Sequence, residues 1–466
     1  MVFSSLEFIF LFLPAFFLVY AIVPGTKLKN LVILVGSILF YSMGVLGMPV
    51  YILLFVQTIL INYILGRFIQ SYPRFSRIWL ILGIIYDLWW LLYFKYAGFF
   101  AGNVNALLHT SLPVRDILLP IGISFYTFQN ISYLADVYWK RVRAADSVID
   151  YGAYISMFPQ LIAGPIVNFK TVRAELIYRT HSLQKIEKGL RVFTLGLGYK
   201  VLIANQLGGL WRDIDTIGFD SISTPMAWMG IAAYSFQLYF DFYGYSLMSI
   251  GLGLMMGFHL PENFHDPYQS LTMTDFWRRW HITLGTWFRE YIYIPLGGNR
   301  VSLIKNIRNM LVVWLLTGFW HGASWNFILW GLFLFVVLVI EKFFIGKFMQ
   351  AHPTIGHFYM FLLIPISWAL FCITDLHDMG MFFQRLLPFI PHEKFHFMEG
   401  DYSQSWQTYW KYFIPAALCC TDFPKWLGKK LERHTVITAV GYAAAFIACI
   451  YCMHQGLDDP FMYFRF

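Results

Sequence analysis

The strongest constraint on this fold is a run without a charged side chain that extends from Asn309 to Ile340. A run of this length and apolarity spans a bilayer, because the hydrocarbon core of about 30 Å needs only about 20 helical residues. Of the 466 residues, 58% are hydrophobic and only 13% are charged, so much of the chain is similarly apolar. The composition excludes an ordinary soluble domain and predicts an all-α protein that crosses the membrane many times.

The net charge of +8 fits the positive-inside bias of membrane proteins and does not indicate nucleic-acid binding. Basic residues occur at every second connection of the first four apolar runs, which places the N-terminus outside. The five cysteines are odd in number and lie late in the chain, mostly in apolar segments, so we expect neither a disulfide framework nor a metal site. The first apolar run lacks a basic start and a cleavage site, and it therefore predicts a span and not a signal peptide.

The apolar runs predict about ten transmembrane helices within a single membrane-embedded domain, residues 1–466, arranged around a central cavity. The run at 117–139 carries Gln129, Asn130 and Asp136, so we expect it in the protein interior. Residues 151–169 lie between two basic clusters and are broken by prolines and glycine, which predicts a re-entrant segment. The other predicted spans are residues 6–23, 31–46, 50–68, 78–94, 192–210, 226–257, 358–373 and 434–453, and the run that contains His321.

His321 lies near the centre of the charge-free run, so its imidazole is expected at membrane depth. Ionisable groups at that depth are costly, and they commonly mark a functional site. Burial away from charge keeps an imidazole neutral and able to accept a proton. The alternative is a histidine that packs between helices. Position alone leaves both interpretations open.

The segment LTMTDFWRRWHITLGTWFREYIYIPLGGNR, residues 271–300, mixes aromatic and basic residues. Thr272 and Asp275 predict the start of a helix by their capping-box spacing. Trp277, Trp280 and Leu284 then fall on one stripe, which predicts an amphipathic helix at the inner interface. Two interpretations follow: a lipid-facing anchor with snorkelling arginines, or a vestibule that binds an anionic substrate. The residues that would line this vestibule are Arg278, Arg279, His281, Arg289 and Arg300.

Several long motifs carry a resemblance to a known family. They are FWRRWHITLGTWFREYIYIPLGGNR, FWHGASW with His321 40 residues after His281, LPIGISFYTFQNISYLADVYWKR, FPQLIAGPIVNF and the terminal DPFMYFRF. Together they resemble the membrane-bound O-acyltransferase family, and within it the bacterial branch typified by the membrane subunit of alginate O-acetylation. The resemblance covers nearly the whole chain and is weakest over residues 374–433.

The resemblance implies an O-acyltransferase in the bacterial plasma (inner) membrane, with His321 as the catalytic residue and His281 in support. It implies acetyl-CoA as donor substrate, entering from the cytoplasm past the arginines, with no tightly bound cofactor and no metal. The acetyl group would move towards hydroxyls of an extracellular polysaccharide through an extracytoplasmic SGNH-like acetyltransferase partner. Membrane lipid surrounds such a protein. Residue chemistry agrees, because acyl transfer from a thioester needs a general base for the hydroxyl proton.

Three further polar residues are candidates. Asn326 and Asp241 lie in apolar segments, where each supports the site or makes structural hydrogen bonds within the bundle. Tyr463, in the terminal FMYFRF, either anchors the chain at the outer interface or relays the acetyl group to the partner. From the residues alone, the competing function is a polytopic exporter of an acyl or glycan precursor. Exporters often show paired halves or matching interrupted helices, and this sequence shows neither.

Overall fold

The computed structural model describes residues 2–45, 47–114, 117–162, 164–387, 399–431 and 433–456. These residues form helices and connecting segments, and none of them lies in a β-strand. An isolated antiparallel bridge joins Phe264 to Trp280. The predicted all-α class is therefore confirmed.

The helices are numbered in chain order. In the first half of the chain they are α1 (Leu13–Ile22), α2 (Thr26–Gly44), α3 (Pro49–Ser71), α4 (Ser76–Leu108), α5 (Ile123–Tyr138), α6 (Val148–Ser156), α7 (Phe158–Leu161), α8 (Phe169–Ile177), α9 (Leu183–Gly198) and α10 (Asn205–Ile217). In the second half they are α11 (Thr224–Met256), α12 (Met273–Arg279), α13 (Ile282–Phe288), α14 (Leu303–His321), α15 (Trp325–Ile340), α16 (Gly346–Ala351), α17 (Pro353–Cys372), α18 (Leu376–Leu386), α19 (Asp401–Cys419), α20 (Phe423–Leu431) and α21 (Thr435–His454).

Six helical segments among the described residues are long and apolar enough to cross a membrane, which agrees with a multi-pass membrane protein. A shorter apolar helix covers Phe8–Ile22. The total of about ten spans stays a prediction, as does the central cavity. The six segments are Thr26–Gly44, Pro49–Ser71, Pro73–Leu108, Trp325–Ala351, Pro353–Cys372 and Thr435–His454.

The backbone groups into two compact units, each assembled from separate stretches of chain. The first contains residues 1–193, 246–262 and 286–292. The second contains residues 194–245, 263–285 and 293–466. The single domain over 1–466 stays a prediction.

A buried polar network joins four helices of the first unit. Asn62 of α3 donates to the Asp87 carboxylate of α4 at 2.8 Å, and Tyr151 of α6 donates to Asn130 of α5 at 2.7 Å. Asn130 also approaches Asp87, at 3.5 Å. Gln129, Asn130 and Asp136 are all buried, so the predicted interior position of this segment is confirmed. Polar side chains on apolar helices need hydrogen-bond partners inside the protein, because lipid offers none.

The segment predicted to be re-entrant folds back on itself within the first unit. Helix α6 ends at Ser156, and the short α7 follows after Met157. The Tyr154 hydroxyl then donates to the Val167 carbonyl oxygen at 2.8 Å, which closes the returning chain. The predicted interruption is confirmed, and its depth in the membrane stays a prediction.

The charge-free run is two helices of the second unit and not one continuous span. Helix α14 ends at His321, and α15 begins at Trp325 and packs back along α14. Glycines permit this approach: a Cβ on Gly331 would lie 2.5 Å from the Trp314 carbonyl oxygen, and one on Gly318 would collide with the Phe327 carbonyl oxygen. His321 therefore lies at a turn between two helices, and the expectation that it sits midway along one span is wrong.

The helix predicted to start at Thr272 is also shorter than expected. Thr272 does cap it, since its hydroxyl accepts from the Asp275 amide at 3.1 Å. The helix then ends at Arg279, and His281 adopts a left-handed conformation, φ 45°, before α13 begins. Trp280 and Leu284 are buried in protein. A continuous interfacial helix with a lipid-facing tryptophan stripe is therefore wrong.

The contact between α14 and α15 yields a stability prediction. Gly318→Ala is expected to lower the free energy of unfolding by about 1–3 kcal/mol, because the added methyl group forces two packed backbones apart. Thermal melting of the detergent-solubilised protein measures the change. Gly380→Ala is the matched control, since no atom lies within 4 Å of the added carbon and alanine favours a helix. A Gly318→Ala protein that melts at or above the wild-type temperature would contradict this packing.

Candidate active site

The His321 imidazole is buried in an aromatic enclosure of the second unit. The Phe371 ring of α17 lies 5.0 Å from it and the Trp330 ring of α15 lies 5.2 Å from it, both edge to face. The indole of the preceding residue, Trp320, lies 4.9 Å away. The indole of Trp330 is held in turn by a 3.0 Å hydrogen bond to the Ser367 hydroxyl. Such walls exclude water and fix the plane of the ring.

His281 is held by a polar contact on one side and apolar contacts on the other. Its Nδ1 lies 3.1 Å from the Asn263 carboxamide oxygen, which also accepts from the Thr283 amide and hydroxyl. Because that oxygen accepts, Nδ1 carries the proton in the neutral ring, and Nε2 keeps its lone pair. Nε2 is buried and has no hydrogen-bond partner among the described residues. Burial lowers the pKa of His281 to about 3, so this imidazole is neutral at pH 7.

A short antiparallel pairing fixes the backbone at His281. The Ile282 amide donates to the Asn263 carbonyl oxygen at 3.0 Å, and the His265 amide donates to the Arg279 carbonyl oxygen at 2.9 Å. These bonds bridge the break between α12 and α13. A left-handed conformation in a residue other than glycine costs of order 1 kcal/mol, and such strain is concentrated at functional sites.

Trp320 brings the two histidines together. Its indole lies 4.9 Å from the His321 ring and 6.2 Å from the His281 ring. Helix α12 is anchored on the helices that enclose His321, because Trp277 contacts the rings of Trp314 and Trp330 at 5.1 and 5.5 Å. The two histidines were predicted to lie in one site, and within the second unit both contact Trp320.

The four arginines differ in their contacts. Arg279 is bound to Asp275 one turn earlier, at 2.9 Å, which reduces its capacity for a substrate anion. Arg278, Arg289 and Arg300 are exposed. Among the described residues, no carboxylate lies within 4.0 Å of these three guanidinium groups. Arg289 belongs to the first unit and the other three belong to the second.

Asn326 and Asp241 make structural contacts. The Asn326 side chain donates to the Phe371 carbonyl oxygen at 2.8 Å, which ties the start of α15 to the end of α17 beside His321. The Asp241 carboxylate lies 2.6 Å from the ammonium of Lys200, and both side chains are buried. Tyr463 lies outside the described residues.

Sequence reasoning missed three residues that support the site. Asn263 orients His281, Lys200 pairs with Asp241, and Glu341 caps α12 by accepting from the Met273 and Thr274 amides at 2.5 and 2.7 Å. Glu341 also accepts from the Tyr359 hydroxyl of α17 at 3.0 Å. For Lys200 and Glu341 the signal in the sequence was a charged residue in an apolar run, whereas Asn263 lies in a polar segment and gave no such signal. The partner of Asn263 lies 18 residues away and that of Glu341 lies 68 residues away.

Residues 142–374 match the family described as MBOAT, the membrane-bound O-acyltransferase family. The chain is 41% identical to a probable alginate O-acetylase, AlgI, of Pseudomonas aeruginosa, over 84% of this chain and 75% of that protein. The chain is a membrane-bound O-acyltransferase. It is also 37% identical to a peptidoglycan O-acetyltransferase of Helicobacter pylori, over 81% of this chain and 78% of that protein. Similarity extends to a teichoic acid D-alanyltransferase of Streptococcus thermophilus, at 28% identity over 50% of this chain and 59% of that protein.

Membership of the family confirms the predicted enzyme class and decides against the exporter. The family match begins at Val142 and ends at Thr374, so both histidines and the helices that enclose them lie inside it. In this O-acyltransferase, the two buried imidazoles, His281 and His321, both contact the Trp320 indole.

The low pKa of His281 predicts how the stability of this O-acyltransferase depends on pH. In the unfolded chain His281 binds a proton near pH 6.5, whereas in the folded chain it stays unprotonated down to about pH 3. The stability of the fold therefore falls as the pH drops below 6.5. The slope is at most about 1.4 kcal/mol per pH unit. In His281→Gln this contribution disappears, and thermal melting between pH 7.5 and 4.5 is expected to show a shallower fall than wild type.

His181 provides the comparison for that measurement, because burial and nearby cations lower its pKa to about 4. His181→Gln is expected to flatten the same part of the curve, below about pH 6.5, and its effect is expected to add to that of His281→Gln. Identical slopes in wild type and His281→Gln would mean that His281 titrates normally and is not buried as described.

Proposed function

We propose that this O-acyltransferase moves an acetyl group from cytoplasmic acetyl-CoA towards hydroxyls of an extracellular polysaccharide. The observation that carries the proposal is the pair of buried imidazoles, His281 and His321, that both contact Trp320. The names of the relatives in Pseudomonas and Helicobacter support acetyl as the acyl group and a glycan as the final acceptor.

In the proposed reaction, His321 acts as the general base. The acceptor hydroxyl loses its proton to the imidazole as its oxygen attacks the thioester carbonyl, and the carbon–sulfur bond then breaks. The leaving thiolate of CoA takes the proton back from the imidazolium, so the enzyme returns to its starting state. The enclosure of Trp330 and Phe371 favours the neutral ring and strengthens any dipole that stabilises the oxyanion.

His281 supports this reaction as a second neutral imidazole. Asn263 fixes its tautomer, so the basic nitrogen is Nε2. A lone pair at that position can accept a hydrogen bond from the donor or the acceptor without competing for the same proton. His281 therefore positions a reactant while His321 moves the proton.

The donor is proposed to bind through arginines. Acetyl-CoA carries phosphate groups, which guanidinium groups bind in a bidentate manner. Arg278, Arg289 and Arg300 are the stronger candidates because they have no carboxylate partner among the described residues, whereas Arg279 is paired with Asp275. No tightly held cofactor or metal enters the proposal.

The acceptor is proposed to be reached through an extracytoplasmic SGNH-like acetyltransferase in a bacterial inner membrane. A membrane enzyme that uses a cytoplasmic donor needs a carrier on the outer side, and a dedicated partner would deliver the acetyl group to the polymer. The relatives are named for alginate and for peptidoglycan, so the polymer is set by the partner and not by the shared membrane core.

The decisive test is acetyl release from the cell surface in strains expressing wild type or His321→Ala at matched membrane abundance. Loss of the general base is expected to lower the rate by about 10²- to 10⁴-fold. His281→Ala is expected to cause a smaller loss. His357→Ala is the matched control, since this histidine of α17 is exposed and should retain wild-type activity. Retained acetylation in a folded His321→Ala protein would make His321 a packing residue.

Tyr463 is tested separately as an acetyl relay. The relay hypothesis rests on a phenol in a terminus that the charge pattern places outside, and an interfacial anchor explains the same residue. If the phenol carries the acetyl group, Tyr463→Phe abolishes surface acetylation while acetyl-CoA hydrolysis by membranes persists. Wild-type surface acetylation in Tyr463→Phe, at normal membrane abundance, would rule out the relay and leave the anchor.

A further inference from the structure

An apolar groove of about 470 Å³ runs along α1 and α2 of the first unit. Gly36 forms part of its floor, because a Cβ there would lie 2.7 Å from the ring of Phe16. Several lining side chains are at least one-third exposed, which leaves an open apolar surface along these two helices. The lining includes Phe12, Phe16, Val19, Leu31, Val35 and Leu39.

The groove has the length of one membrane leaflet. Leu31 and Leu39 line it from end to end on α2, and eight residues of helix rise about 12 Å. One leaflet of a 30 Å hydrocarbon core is about 15 Å deep. An acyl chain that enters from one membrane surface therefore matches the groove in length and in polarity.

The phenol ring of Tyr20 lies between this groove and a cationic region at one end of it. The Tyr20 ring stacks on Phe16 of the groove, with centroids 5.8 Å apart. On its other sides it contacts three basic residues: the Arg179 Nε donates to its hydroxyl at 2.9 Å, the His181 ring lies 5.5 Å away, and the Lys29 ammonium lies 4.8 Å from its centre.

Arg179 is buried without a carboxylate partner among the described residues. Its Nη1 donates to the Asn30 carboxamide oxygen at 2.6 Å, and its Nη2 is buried with no hydrogen-bond partner there. Two acidic residues lie nearby, and both are engaged elsewhere. Asp150 accepts from the amide of Asn30 at 2.6 Å, and Glu175 binds His259 at 2.5 Å.

Two lysines extend the positive charge. Lys29 lies in the first turn of α2, and Lys185 donates to the hydroxyl of Thr180 at 2.9 Å, next to Arg179. Neither lysine has an acidic partner within 4.0 Å in the described part of the chain. The pKa of His181 is lowered to about 4 by burial and by the positive charges of Lys29, Arg179 and Lys185. A buried guanidinium with an unused donor, beside unpaired ammoniums, favours an anion.

We propose that this groove and cationic end bind an anionic glycerophospholipid of the cytoplasmic leaflet. One acyl chain would lie between α1 and α2, and the phosphate would lie at Lys29, Arg179 and Lys185. The basic residues at this end are those that the charge pattern places in the cytoplasm, where anionic lipids attract them. The site is independent of acetyl transfer, and it would secure the start of the chain to the membrane and neutralise Arg179.

The test measures lipid binding to the full-length protein in neutral detergent, without acetyl-CoA. Phosphatidylglycerol and phosphatidylcholine with identical acyl chains are titrated, and bound lipid is counted by native mass spectrometry. Wild type is expected to retain one phosphatidylglycerol molecule in preference to phosphatidylcholine. Lys29→Gln is expected to weaken that binding about fivefold, equivalent to about 1 kcal/mol for one lysine near a membrane surface.

Two further variants separate the groove from the charges. Val35→Trp fills the groove at a half-exposed position and is expected to abolish retention of phosphatidylglycerol. Lys27→Gln removes an exposed lysine from the same turn of α2 and Leu53→Trp adds an indole to exposed α3 surface, so both are expected to bind as wild type. Melting temperature without lipid verifies that each variant is folded.

Three results would overturn the proposal. One is equal retention of both lipids by wild type, which would mean that lipid binds the apolar surface without selecting the headgroup. The second is unchanged binding in both Lys29→Gln and Val35→Trp. The third is complete loss of bound phosphatidylglycerol when inorganic phosphate is added at equal concentration, which would indicate a free-anion site. None of these results depends on whether His321 or His281 catalyses acetyl transfer.

Discussion

The position of His281 depends on one carboxamide oxygen. The carboxamide oxygen of Asn263 accepts hydrogen bonds from His281 Nδ1 and from both the amide and the hydroxyl of Thr283. It therefore provides an acceptor for the three donors that follow the end of α12. In an apolar protein these donors would otherwise lose their hydrogen bonds with water at a cost of about 1–3 kcal/mol each. The tautomer of His281, and with it the lone pair on Nε2, follows from this oxygen.

The same two helices support both histidines. Helix α15 contributes Trp330 and α17 contributes Phe371 to the walls around His321. Glu341, which follows α15, caps α12 through the Met273 and Thr274 amides and is itself bound by Tyr359 of α17. A shift of α15 against α17 would therefore move the His321 enclosure and the helix that precedes His281 together. This common support keeps two residues 40 positions apart in sequence in a constant relation.

Composition and apolar runs were sufficient for the all-α membrane class, because lipid permits few other solutions. Local chemistry also predicted the cap at Thr272 and the interruption after α6. The breaks at His281 and His321 were not predicted, since both lie in segments whose periodicity continues through the break. They depend on distant partners, Asn263 for one and the glycine contact of α14 with α15 for the other, and no local pattern reveals such contacts.

The buried carboxylates of the second unit are engaged in contacts between helices. Its buried carboxylates among the described residues are Asp241 and Glu341. Lys200 pairs with Asp241, and a set of amide and hydroxyl donors holds Glu341, so each is committed to joining helices. A carboxylate released from such partners would be a buried, uncompensated charge, which is costly. In the proposed reaction a neutral imidazole avoids that cost, because it carries no charge until it accepts the proton of the acceptor hydroxyl.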